Sequence, residues 1–248
     1  MNRSPDLKPS GAKTMKSPRP SRAELSSRRI ETSYSVVFVV DDDISVRESL
    51  ELLIQKQGWQ PKTFPSAQEF LESPRVLVPN CLLLDISLPG LNGLDLQKRI
   101  AIERAEMPII FITGHGDVPK SVEAMKGGAA EFLTKPLNHE VLLSAIRQSL
   151  ERSRLALTRH AELQTLRNRY ESLTAREREV MAWIVSGLLN KQVGGQMDIA
   201  ESTVKAHRGQ VMQKMKADSL ADLVKIAAKL GIQGPSGSPK ICMSSVEV

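Results

Sequence analysis

From residue 34 onward, short apolar runs alternate with amphipathic stretches of helical length, and a polar break separates each from the next. Val36–Val40, Gln60–Phe64, Cys81–Asp85, Pro108–Thr113 and Ala130–Leu133 have the length and residue pattern of strands. Residues 44–57, 66–72, 93–104, 118–127 and 137 onward have the amphipathic pattern of helices. Five β-α units in succession predict a doubly wound parallel sheet. Strands one, three and four are almost continuously apolar, so both faces of that sheet are expected to be covered. The flavodoxin-like strand order 2-1-3-4-5 is one of two common arrangements, and in such sheets a ligand site lies beyond the carboxyl ends of the strands.

Beyond residue 137 the helical pattern runs on through Val141, Leu142, Ala145, Ile146, Leu150, Leu155, Leu163 and Leu166, interspersed with Arg and Glu. Its repeat is irregular, which leaves both a helical linker and part of a dimer seam open. Thr174 and Glu177 then form a capping box, the mark of a fresh helix start and of a domain boundary. Residues 174–230 hold four apolar-periodic segments, two of them joined by a short turn. The expected architecture is α/β followed by all-α: a flavodoxin-like five-stranded domain over 34–150, a helical linker over 151–172, and a four-helix domain over 173–231. Residues 1–33, rich in Ser, Pro, Lys and Arg, predict a disordered basic tail, and 232–248 a flexible one.

Composition agrees with two globular domains: 248 residues, 41% of them hydrophobic. Charge is unevenly spread. Residues 1–33 carry eight Lys or Arg against three Asp or Glu, and 34–150 carry eleven against fifteen. Residues 151–170 carry five against two, and the remainder ten against eight. Two cysteines make no disulfide framework, and Cys81 sits in an apolar run as a small hydrophobe, so a reducing, cytoplasmic setting is expected. No window approaches the roughly 18 consecutive apolar residues of a membrane span, so no membrane partner is expected. Arg28-Arg29 is not followed by the apolar core of about 7 residues that an export signal needs.

Candidate chemistry gathers at the strand ends. Asp41 and Asp42 follow strand one, Asp85 ends strand three, Thr113 ends strand four, and Lys135 follows strand five. A carboxylate attacks a phosphate poorly because both are anionic, so a divalent cation must bridge them. Mg²⁺ favours one or two carboxylates, retained waters and the phosphate itself. Lys135 offers a point charge to a phosphoryl oxygen, Thr113 a hydroxyl, and Asp85 a nucleophile. Asp43, third in the row, is placed to interact with the first turn of the next helix.

At these residues the chain resembles the receiver domain of two-component response regulators. The matching segments are Val39-Val40-Asp41-Asp42-Asp43, Leu83-Leu84-Asp85 with Leu88-Pro89-Gly90 and Gly93, Ile112-Thr113-Gly114-His115-Gly116-Asp117, and Phe132-Leu133-Thr134-Lys135-Pro136. The resemblance implies that Asp85 is the phosphoacceptor and that Asp41, Asp42, Asp85 and the Ser87 backbone carbonyl hold Mg²⁺. It further implies that Thr113 and Lys135 contact the phosphoryl group, that Thr113 and Phe132 form a switch pair, and that the Lys135-Pro136 peptide is cis. A sensor histidine kinase is then the expected partner, with a homodimer formed on phosphorylation.

In the second domain a helix from about Ser202 to Lys216 places Val204, Val211 and Met215 on one stripe, at 100° per residue, and turns Lys205, Ala206, Gly209 and Gln213 outward. Lys205 suits a guanine edge and Gly209 a close approach, while Thr203, His207, Arg208 and Lys216 flank them. Leu173-Thr174-Ala175-Arg176-Glu177-Arg178-Glu179-Val180, Asn190-Lys191, and Thr203-Val204-Lys205 with His207-Arg208 resemble the LuxR-type helix-turn-helix of the NarL/FixJ subfamily. That resemblance implies double-stranded promoter DNA as ligand, with Lys191 among its contacts. It also implies RNA polymerase as a partner, transcription control as the output, and dimerisation through the last helix, Ser219 to Leu230. Gly194-Gly195 within the scaffold helix predicts a softened helix, at about 1 kcal/mol per glycine. Two other readings compete. A phosphatase working through an aspartyl phosphate would have a second acid two residues after the nucleophile, where this chain has Ser87, so an enzyme is not expected. A phosphorylation-gated module binding protein or RNA would leave no footprint on duplex DNA.

Overall fold

The computed structural model describes residues 34–114, 118–232 and 234. The two terminal tails assigned from composition fall outside them, apart from Ile232 and Gly234, as do His115, Gly116 and Asp117. Along the chain run β1 (Val36–Val40), α1 (Ile44–Lys56), β2 (Gln60–Phe64), α2 (Ala67–Glu72), β3 (Asn80–Asp85), α3 (Gly93–Glu103), β4 (Ile109–Thr113), α4 (Val118–Lys126), β5 (Glu131–Thr134) and α5 (His139–Glu171). Then come α6 (Ala175–Val185), α7 (Asn190–Met197), α8 (Glu201–Met215) and α9 (Leu220–Leu230).

The strands form one parallel sheet in the order β2-β1-β3-β4-β5. Because side chains alternate along a strand, each apolar run feeds both faces. Val36, Phe38, Val40, Leu82, Leu84 and Phe111 meet Phe70, Leu96, Ile100 and Ala124 from α2, α3 and α4. On the other face Val37, Val39, Cys81, Leu83, Ile110 and Ile112 meet Leu50 and Ile54 of α1 and Leu142, Ile146 and Leu150 of α5. Every residue of β1, β3 and β4 is buried, as continuous apolar runs require. The edge strands β2 and β5 are only half-buried.

α5 is one uninterrupted helix of 33 residues. Its packing against the sheet domain continues to Ser153, whose Oγ accepts the Asn80 N–H at 3.1 Å. That lies three residues beyond the boundary expected at 150. Between 154 and 168 no residue is buried. At its far end Tyr170 joins the core of the helical domain, and Arg169 Nη1 reaches the Met215 carbonyl at 3.4 Å. Arg178 Nη2 donates to the Glu171 carbonyl at 2.9 Å, with its guanidinium 5.4 Å from the centre of the Tyr170 ring.

The helical domain has its own core, built from Leu173, Val180, Met181, Ile184, Val193, Val204, Val211, Met215 and Leu223. Thr174 caps α6 by accepting the Glu177 N–H at 3.2 Å, and the Glu177 carboxylate accepts the Thr174 N–H at 2.8 Å, so the capping box forms as expected. Gly194 has a packing reason to be glycine. A methyl group there would stand 2.8 Å from the Ile199 carbonyl, where the turn between α7 and α8 crosses the helix. Gly195 meets nothing within 4 Å and keeps the full conformational cost.

Candidate functional site

Register brings the acidic residues together. Val40 pairs with Leu84 across β1 and β3, so Asp41 and Asp85, each one residue further on, leave the sheet side by side. Thr113 ends β4 opposite Thr134 of β5, and Lys135 follows, its N–H donating to the Thr113 carbonyl at 2.7 Å. The Lys135-Pro136 peptide is cis. One carboxylate oxygen from each of Asp41, Asp42 and Asp85 lies within 4.8 Å of the other two. Asp41 and Asp85 are buried and Asp42 is exposed.

Lys135 Nζ bridges the buried pair, 2.9 Å from Asp41 Oδ2 and 3.0 Å from Asp85 Oδ2. Backbone N–H groups hold the other oxygens: Asp43 donates to Asp41 Oδ1 at 3.0 Å, and Ser87 to Asp85 Oδ1 at 2.8 Å. Burial raises the Asp41 carboxyl above its ordinary value, against the pull of Lys135 and the Asp43 N–H. A raised native value means that the folded state binds more protons than the unfolded chain just above the ordinary carboxylate range, so ionised Asp41 costs stability at neutral pH. Burial alone would lower Lys135, yet its hydrogen bonds to Asp41 and Asp85 raise it. Three carboxylates around one lysine leave net negative charge, and hard carboxylate oxygens are the donor type that Mg²⁺ takes. The donor set therefore fits that ion.

Other residues complete the pocket. Asp43 accepts the Ser45 N–H at 2.8 Å and so starts α1, as its position implied. Gly93 opens α3 with no room for a side chain: a methyl group would lie 2.6 Å from the Asp85 carbonyl. Thr113 is buried at the strand end, and Phe132 is half-buried opposite Phe111. Arg47 was not legible as a site residue. Its Nη1 donates to the carbonyls of both Asp41, at 2.7 Å, and Asp42, at 2.9 Å. A single arginine in an amphipathic helix carries no signal that separates it from a solvated charge.

In the helical domain Val204, Val211 and Met215 are fully buried. Lys191, Thr203, Lys205, Ala206, Gly209 and Gln213 are exposed, and His207 and Arg208 are half-buried. Lys205 lies 3.5 Å from Glu201 one turn earlier. Arg208 Nη1 donates to Asn190 Oδ1 at 3.1 Å, tying α8 to the start of α7. Lys214, absent from the sequence reading, holds both oxygens of Glu177 at 2.9 and 2.7 Å, and this pairing keeps the Glu177 carboxyl below its usual range. α9 exposes Leu220 and Val224. No helix among the described residues is long and apolar enough to cross a membrane.

Comparison with known proteins matches residues 37–147 to the response regulator receiver domain and residues 171–227 to the bacterial regulatory proteins of the luxR family. Nodulation protein W of Bradyrhizobium diazoefficiens is 48% identical over 198 residues, spanning 80% of this chain and 87% of that protein. Response regulator protein TmoT of Ectopseudomonas mendocina is 41% identical over 84% of this chain and 94% of its own length. Transcriptional regulatory protein FixJ of Bradyrhizobium diazoefficiens is 38% identical over 81% of this chain and 98% of its own. The solved structure of the response regulator StyR superposes with a TM-score of 0.70 at 44% identity, over 79% of this chain and 98% of that one. Sheet order, strand-end acids, helix-turn-helix and relatives agree: the chain belongs to the response regulators of the NarL/FixJ type, transcription regulators that join a receiver domain to a LuxR-type DNA-binding domain.

Proposed function

We propose that a partner histidine kinase phosphorylates Asp85 and that the phosphorylated chain dimerises, binds promoter DNA and activates transcription, with RNA polymerase as a further partner. The observation that carries this reading is the convergence of Asp41, Asp42, Asp85 and Lys135 at the ends of three strands, in a chain that also holds a LuxR-type domain. Asp41, Asp42 and Asp85, with the Ser87 carbonyl, would hold Mg²⁺, which supplies the positive charge that lets a carboxylate and a phosphate approach. The Ser87 N–H holds one Asp85 oxygen, which orients the other toward attack. Lys135 offsets part of the pocket's negative charge before transfer and offers its donors to the phosphoryl oxygens afterwards. Thr113 donates to the same group. Drawing its loop inward favours an inward Phe132, which biases the α4–β5 face toward dimerisation.

On α8, Lys205, Ala206, Gly209 and Gln213 form the surface for base edges, with Lys191, Thr203, His207 and Arg208 at the phosphates. Incubation of the purified chain with Mg²⁺ and acetyl phosphate should add one phosphoryl group at Asp85, raise the dimer fraction and tighten binding to duplexes selected from a random library. Asp85→Asn should do none of these, and Phe132→Ala should take the phosphoryl group without dimerising. No mass gain in a folded sample sinks the reading, as does equal DNA occupancy by native chain and Asp85→Asn.

A further inference from the structure

We infer that Arg47 is a positioning residue of the cation site, setting the acid pair from its backbone side. The inference rests on the aspartyl-phosphate reading above for the use to which the site is put. A loop of only three residues, Asp41 to Asp43, joins β1 to α1, and it must aim two like-charged carboxylates at a third. Side chains alone would swing apart under that repulsion. Arg47 Nη1 fixes the two peptide planes instead, donating to the Asp41 carbonyl at 2.7 Å and the Asp42 carbonyl at 2.9 Å. The two held planes flank Asp42 and together set its φ and ψ, and so the direction of its Cα–Cβ bond, while the first plane also restrains ψ of Asp41. The same loop is closed by the Asp43 N–H on Asp41 Oδ1 and the Asp43 carboxylate on the Ser45 N–H.

Two cations thus serve the pocket differently. Lys135 occupies carboxylate oxygens, so it competes with an incoming cation for them. Arg47 takes carbonyl oxygens only, so it offsets the negative charge without occupying any carboxylate oxygen itself. Partners one shell out from a metal typically change affinity by about 10–100-fold when removed.

The test uses the full chain, with Arg47→Ala and Arg47→Lys. Calorimetric titration with Mg²⁺ should give a dissociation constant about tenfold weaker for Arg47→Ala. Its melting temperature in EDTA should stay within about 2 °C of the native chain, a change well under that of a lost core contact. In acetyl phosphate labelling the Mg²⁺ concentration for half-maximal rate should rise by the same factor, with the rate at saturating Mg²⁺ retained. Arg47→Lys, which keeps a donor, should recover part of the affinity. Unchanged Mg²⁺ affinity in folded Arg47→Ala overturns the inference. So does a fall in EDTA stability that Arg47→Lys shares without regaining affinity, since that marks a helix-stabilising role alone. A native chain that binds Mg²⁺ yet never takes a phosphoryl group overturns the aspartyl-phosphate reading and leaves Arg47 as a cation-site residue.

Discussion

Neighbouring residues of one type can carry opposite roles, and Gly194 and Gly195 show how. Both lie in α7 and look equally costly by helix propensity. Only Gly194 faces the Ile199 carbonyl, close enough that a methyl group would stand 2.8 Å away. Gly195→Ala should therefore raise the stability of the helical domain by about 1 kcal/mol. Gly194→Ala should lower it by about 1–3 kcal/mol, the usual cost of overfilling a packed site. Urea melts of the two variants check this, and equal shifts would refute the distinction. Asp85, Thr113 and Lys135 are readable as candidates only together, because each lies at the end of an apolar run of strand length while each alone has an ordinary structural explanation. Arg47 is not readable, since what distinguishes it is a pair of carbonyl oxygens, and backbone atoms leave no trace in a sequence pattern.

Elements here are held by caps that sequence reveals and by ion pairs that it does not. The Thr174 to Glu177 box is a local pattern, readable because its partners are three residues apart. Its extension to Lys214 on α8 spans 37 residues and depends on how α6 and α8 pack. Since this pairing lowers Glu177, its contribution is complete above the ordinary glutamate range and is lost as pH falls through the lowered native value. Lys214→Ala should cost about 1–2 kcal/mol at neutral pH, because it leaves a buried carboxylate without its ion partner. That difference should shrink on acidification below about pH 4.5, the usual glutamate value. Thermal melts of both chains across that range measure it; a gap independent of pH would assign the loss to packing of the lysine stem.

At the scale of the molecule, the described residues form two hydrophobic clusters that share the sheet and a third in the helical domain, and α5 contributes to a sheet-side cluster and to the helical one. Calorimetry should resolve two unfolding transitions, and added Mg²⁺ should raise only that of the sheet domain, by mass action on its native state. One transition, or equal shifts in both, would show that α5 couples the domains into a single unit. Sequence by itself determined the element order, the parallel doubly wound sheet, the strand-end acids and the inward stripe of α8, because each follows from local periodicity and from the rule that sites lie beyond carboxyl strand ends. Tertiary structure alone decided that Lys135 bridges Asp41 and Asp85, that Arg47 grips the acid loop, that Arg208 is tied to Asn190, and that packing on the sheet extends to Ser153. Most of these contacts join residues distant in the chain, and even the local one from Arg47 is to particular backbone atoms; periodicity says which face a residue takes but not which atom it meets there.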